Sequence, residues 1–166
     1  MNAQMKSRGF SLVELVIVVV IIGVIAAIAV PRISRGAKGA GDASLKGSLA
    51  GLRNAIDMYA AEHGGTFPAG TQVEIIDRLT KRTDKGGVVG TTAGTHIYGP
   101  YLRTGVPPLP VCANKGSADL EIVTGAPVAV GGAAAKGWMY STDTGIIIPN
   151  CADPETDEAG TKYNAY

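Results

Sequence analysis

Few side chains in this sequence are of a type and spacing that could do chemistry. The two histidines, His63 and His96, stand in no His-Glu-x-x-His or comparable metal-ligand spacing. No Gly-x-Ser-x-Gly elbow presents a serine nucleophile. His96 would need the fold to bring it to Cys112 or Cys151 to make a Cys–His pair, and a surface histidine is the simpler expectation. Gly36-x-x-Gly39-x-Gly41 has the glycines of a phosphate cradle, but no strand is expected before it and no Gly-Lys-Ser/Thr follows. Asp153, Glu155, Asp157 and Glu158 could offer oxygens to Ca²⁺, yet they lack the spacing of an EF-hand loop, and a solvated surface turn is expected there. The chain is therefore read as no enzyme, with no catalytic residue, cofactor or metal. What remains is one acid in an improbable place, Glu14.

Glu14 lies within residues 10–30, a run in which only it and Ser11 are clearly polar. As a helix rising ~1.5 Å per residue the run covers about 30 Å, the thickness of a bilayer's hydrocarbon core. It is longer than the ~7–15-residue apolar core of a secretory signal, and no small-x-small cleavage site follows. A plain membrane anchor would account for that much. A charged group inside the span costs about 2.5–3.5 kcal/mol on insertion scales and needs a cation. No Lys or Arg lies between Phe10 and Val30. Cutting the chain after Gly9 would supply one, the Phe10 amine, whose reference pKa is about 7.7–8.0. Within one helix that amine and Glu14 could meet at i,i+4. Between stacked helices, Glu14 of one subunit could pair with Phe10 of another, making the ion pair a register device.

Arg8-Gly9-Phe10-Ser11-Leu12-Val13-Glu14-Leu15, behind a short basic leader and before a long apolar run that ends at Pro31, resembles the N-terminus of type IV pilins and type II secretion pseudopilins. The resemblance implies that a prepilin peptidase cuts between Gly9 and Phe10 and that Phe10 becomes N-methylated. It implies a part for Glu14 in filament assembly and matches Pro31 to the family's helix proline. It implies a precursor in the inner membrane with a cytoplasmic N-terminus and a periplasmic cap, becoming a periplasmic or extracellular filament. Charge alone leaves the orientation open, because Lys6 and Arg8 precede the span while Arg32, Arg35 and Lys38 follow it. The implied partners are identical subunits in a helical homo-oligomeric filament, the peptidase, and inner-membrane assembly machinery. Nucleic acid is not expected as a main partner. Once Lys6 and Arg8 are removed, the 15 basic residues no longer outnumber the 14 acidic ones.

The elements that must position this N-terminus follow from periodicity. Leu45, Leu49, Leu52, Ile56 and Tyr59 repeat at helical spacing, and Gly64-Gly65 and Pro68 end the pattern. One helix of about 50 residues is expected, apolar in its first half and amphipathic in its second. Pro31, Gly36, Gly39 and Gly41 should soften it, each Gly by about 1 kcal/mol against Ala; the resemblance adds that pilin helices can unwind here when packed in a filament. A helix ending near Pro31, with a linker after it, is the alternative. The domains are then a leader at 1–9, a transmembrane assembly half-helix at 10–30, an amphipathic half at 31–64, and a globular cap at 65–166.

Within the cap, 72–83 reads as a short helix with Val73, Ile76 and Leu79 on one side. Residues 84–99 read as an aperiodic surface loop, and 100–110 as an extended, proline-rich connector. Residues 120–124 read as a strand. Residues 137–141 and 145–149 flank Thr142-Asp143-Thr144 as a hairpin. Strands that follow helices without βαβ alternation give an α+β fold, a long N-terminal helix packed on a small antiparallel sheet, pilin-like in the sense of the resemblance. The tyrosines at 163 and 166 are expected to dock the end of the chain.

Cys112 and Cys151 would be a reduced buried pair in a cytosolic protein. Behind a membrane anchor a disulfide is the better expectation, closing a loop of about 40 residues and contributing ~3–4 kcal/mol. The resemblance agrees, since many type IV pilins staple their C-terminal region in this way. Gly99-Pro100-Tyr101-Leu102, Leu109-Pro110 and Gly137-Trp138-x-Tyr140 followed by Thr144-Gly145 are similar to the C-terminal halves of some pseudopilins. The major pseudopilin's Asp-Pro-Trp-Gly-like ending and calcium loop have no counterpart. The expected function is a structural filament subunit. The competing reading is a membrane-anchored monomeric binding module whose N-terminus only tethers it, and a minor tip pilin is a third.

Overall fold

A computed structural model describes residues 10–129 and 136–166. The chain divides into two compact units, one running to Lys38 and the other from Gly39 onward. The first helix, α1 (Leu12–Glu62), is 51 residues long and passes through Pro31 without a break. Among the described residues it is the one helix long and apolar enough to cross a membrane. Its apolar residues from Leu12 to Val30 are all exposed apart from a half-buried Ala29, with no polar face, as lipid or other apolar helices would require.

The second unit is built on the other half of α1. Leu45, Leu49, Leu52, Ile56 and Tyr59 are all buried in one core with Ile75, Leu79, Leu109, Trp138 and Tyr140. The stripe expected from the sequence is thus part of the cap's core. Burying each such side chain is worth roughly 1.5–3 kcal/mol.

A short helix, α2 (Gln72–Thr80), starts at a capping box: Glu74 accepts the Thr71 amide at 2.7 Å, and Thr71 Oγ1 accepts the Glu74 amide at 3.4 Å. It stops three residues earlier than expected, and its core face is Ile75 and Leu79 rather than Val73, Ile76 and Leu79. Ile76 is half-buried and Val73 is 68% exposed. An i,i+4 pair suffices for so short a helix. Thr83, beyond its end, is fully buried and pairs with both Val89 and Tyr98. The stretch 84–99 is therefore pinned, with Asp84 Oδ1 accepting the amides of Gly86 and Val88 at 2.9 Å each.

Three strands, β1 (Leu120–Val123), β2 (Trp138–Ser141) and β3 (Ile147–Pro149), form one sheet in that order. β2 and β3 are the expected antiparallel hairpin, with Met139 opposite Ile148. Gly145 closes it at φ +69, where a Cβ would lie 2.3 Å from the Phe67 ring. β1 joins β2 in parallel, Leu120 opposite Trp138 and Val123 opposite Ser141, so the sheet is mixed rather than wholly antiparallel. The chain from Thr124 to Gly137 supplies the dozen or more residues that a parallel crossover takes. β2 is central and buried along its whole length. Trp138 Nε1 donates to the Pro107 carbonyl of the connector at 2.8 Å and Tyr140 Oη to the Pro68 carbonyl before α2 at 2.9 Å, so loop carbonyls satisfy these two polar atoms of β2. The architecture is α+β and pilin-like.

Candidate assembly site at the N-terminus

Gly9 and the leader lie outside the described residues; Phe10 is described and is 83% exposed. Glu14 sits in the first turn of α1. Its Oε2 accepts the Ser11 amide at 2.8 Å, while the Leu15 amide donates to the Ser11 carbonyl at 3.2 Å. Ser11-x-x-Glu14 thus behaves as one arm of a capping box, which the Ser-x-x-Glu spacing could have announced. The carboxylate is exposed, satisfies one of the helix's four unpaired N-terminal amides, and lies at the positive end of the helix dipole. Among the described residues its other oxygen has no hydrogen-bond partner.

Pro31, Gly36, Gly39 and Gly41 all fall within α1. Their surroundings differ. Around Gly36 nothing lies within 4 Å of where a Cβ would stand. At Gly39 that position is 3.2 Å from Glu158 Oε2, and at Gly41 it is 3.0 Å from Val111 Cγ1. Gly39 and Gly41 therefore also give the cap room to approach the helix.

Asp42, next along α1, is buried, and its carboxylate faces two donors from the C-terminal region. Tyr163 Oη donates to Oδ1 at 2.5 Å and the Glu158 amide to Oδ2 at 3.1 Å. Burial, with the Asp42 carboxylate beside it, raises the Tyr163 pKa well above the ordinary phenol value. Asp157 is also buried. Its Oδ1 accepts the Thr161 amide at 2.8 Å, its Oδ2 accepts from Tyr166 Oη, and Lys46 Nζ lies 3.7 Å away. The Tyr166 hydroxyl is the main cause holding the Asp157 carboxyl below its usual range. Arg53 donates to the backbone oxygens of Ile147 and Tyr166. Tyr163 and Tyr166 thus dock the end of the chain as expected. In the acidic tail Asp153 and Glu158 are exposed, as a solvated turn would have them, with Asp153 pairing with Lys162 at 2.8 Å, whereas Glu155 accepts two backbone amides and Asp157 is buried. The carboxylates of Asp153, Glu155 and Asp157 are matched to protein donors.

Cys112 and Cys151 form a disulfide with a Cα–Cα distance of 5.6 Å. His63 is buried and stacks on Tyr59 at 3.9 Å between ring centroids. Its Nδ1 lies 2.8 Å from the Tyr59 carbonyl, and its Nε2 lies 3.0 Å from both Thr83 Oγ1 and the Asp84 carbonyl. This is the setting of a core histidine. His96 packs over Gly90, where a Cβ would lie 2.3 Å from its Nε2. Sequence reasoning did not find Ser11, Asp42 or Glu155 as partners. Ser11 had a local signal, but the Asp42 donors and the Ala113 amide that meets Glu155 had none, because they come from far along the chain.

Residues 4–30 match the family model described as the prokaryotic N-terminal methylation motif, the prepilin-type motif of type IV pilins and pseudopilins. The motif supports a precursor of type IV pilin or pseudopilin kind. Neither a curated protein nor a solved structure matches the chain.

Proposed function

We propose that this chain is the precursor of a structural filament subunit. A prepilin peptidase cuts between Gly9 and Phe10, and the Phe10 amine is N-methylated. The precursor waits in the inner membrane, with its N-terminus cytoplasmic and its cap periplasmic. During assembly the apolar half-helices leave lipid for one another, and the open oxygen of Glu14 takes a neighbour's Phe10 amine. Pro31 and Gly36 give the helix a place to yield. The likeness of Gly99-Pro100-Tyr101-Leu102 and Gly137-Trp138-x-Tyr140 to pseudopilins supports the type II secretion branch of the class.

The observation that carries this reading is the coincidence of the matched motif with an exposed apolar half-helix bearing a single acid at its start. An anchor needs the apolar residues, and a charged group among them costs insertion energy. The test is the mass of the mature N-terminal peptide purified from membranes. A peptide beginning at Phe10 and one methyl group heavier is expected. One beginning at Met1, or beyond Val30, would end the assembly argument.

A further inference from the structure

The disulfide is not the sole link between the two segments it joins. Next to Cys112, the Ala113 amide donates to Glu155 Oε1 at 2.9 Å. One residue on, Asn114 Nδ2 donates to the Asn150 carbonyl at 2.9 Å, and both asparagines are buried. Glu155 Oε2 also accepts the Ala152 amide at 2.7 Å, so one carboxylate holds the residue following each cysteine. The sequence separations are 39 for the disulfide, 42 for Ala113 to Glu155 and 36 for Asn114 to Asn150. All three close nearly the same loop.

We propose that Glu155 and Asn114 are positioning residues for the disulfide, a non-covalent latch that docks the two segments before oxidation. Loop closure is costly once, whichever link forms first, and the others then form almost locally. Two links need no oxidant. The sulfur bond alone would have to be found by a search over the whole loop, and it must also hold Cys112 at φ +71, a conformation that is unfavourable for a residue with a Cβ. A latch that has already fixed Ala113 and Asn114 takes up that conformational cost in advance.

The chemistry it assists is thiol–disulfide exchange. One cysteine thiolate attacks an external disulfide such as oxidised glutathione, forming a mixed disulfide and releasing one thiolate. The other cysteine, deprotonated, attacks the protein sulfur of that mixed disulfide. The Sγ–Sγ bond forms and the second external thiolate leaves. Two protein thiols are oxidised, one external disulfide is reduced to two thiols, and the two protons end on those thiols. The latch acts on the second, intramolecular attack.

The test measures the effective concentration of the two cysteines in the full chain in detergent micelles, equilibrated with reduced and oxidised glutathione and trapped by alkylation. Asn114→Ala and Glu155→Ala are each expected to lower it about threefold to tenfold, the range of one net hydrogen bond, and the double variant further. Glu155→Gln should fall between wild type and Glu155→Ala. Tyr140→Phe, which removes a buried hydrogen bond to Pro68 that is no part of the latch, should leave it unchanged. A double variant equal to wild type, or a Tyr140→Phe loss as large as the latch variants', overturns the proposal. In the cysteine-free Cys112→Ser/Cys151→Ser chain, the Ala113 amide should remain at least about tenfold protected from hydrogen exchange. Exchange there at the unfolded-chain rate would show that the hydrogen bonds follow the disulfide, and would overturn it independently.

Discussion

Glu14 accepts the Ser11 amide at 2.8 Å, so the acid's first partner lies within its own helical turn. With that local donor the acid is tolerable in a single subunit, and its second oxygen has no partner among the described residues. The two duties can be separated. Glu14→Gln keeps an acceptor for Ser11 and loses the charge, whereas Glu14→Ala loses both. On the filament reading both variants should stay in the membrane and assemble at least about thirtyfold less, the scale of removing one side of a desolvated charge pair. Quantifying sheared filaments against membrane-retained subunit checks this. Wild-type assembly by Glu14→Gln would leave Glu14 as a helix cap alone.

Gly36 and Gly39 make a matched pair for testing helix softness. Gly36→Ala meets no atom and should strengthen the helix by about 1 kcal/mol, slowing amide exchange around it roughly fivefold. Gly39→Ala should give less, because Glu158 must move aside. Where filament packing needs the helix to yield, the Gly36→Ala subunit should also assemble less well. Hydrogen exchange on the unassembled chain and filament yield report the two effects separately.

Tyr163 closes the cap onto Asp42. Tyr163→Phe leaves that buried carboxylate with the Glu158 amide and should lower cap stability by about 1.5–3 kcal/mol, as for a hydrogen bond to a charged group. Denaturant unfolding followed by the fluorescence of Trp138, the chain's one tryptophan and fully buried, measures it.

The acid and alkaline limbs of stability should have distinct sources. Hydrogen bonds from Tyr166 and nearby amides lower the Asp157 carboxyl, so its contribution is present above the unfolded value of about 3.9 and disappears as pH falls through the lower folded value. Asp157→Asn should flatten that limb, below about pH 4. Burial raises the Tyr140 and Tyr163 phenols well above their usual value. There the folded state holds its protons longer than the unfolded one, so stability is complete below about pH 10 and falls as pH rises beyond it. Tyr163→Phe should delay the alkaline loss. Unfolding free energy measured across both ranges reads each slope.

Gly137 shows how little room the sheet leaves. A Cβ there would lie 2.2 Å from the Ser117 carbonyl oxygen, a backbone atom that cannot swing away. Gly137→Ala should destabilise the cap by about 1–3 kcal/mol, the usual range for overpacking, in the same Trp138 assay.

By itself the sequence determined what short-range periodicity and composition can carry. The apolar run, the single acid behind Gly9, the stripe from Leu45 to Tyr59 and the hairpin around Thr142-Asp143-Thr144 all depend on neighbours a few residues apart. Tertiary structure alone decided the long-range pairings. β1 lies parallel to β2 because a crossover, and no local rule, brings Leu120 beside Trp138. Asp42 found its donors at Glu158 and Tyr163, and Glu155 one of its own at Ala113, across separations of 116, 121 and 42 residues. A carboxylate's hydrogen-bonding capacity is visible in its residue type. Which distant donor meets it is set only when the core that buries both has formed.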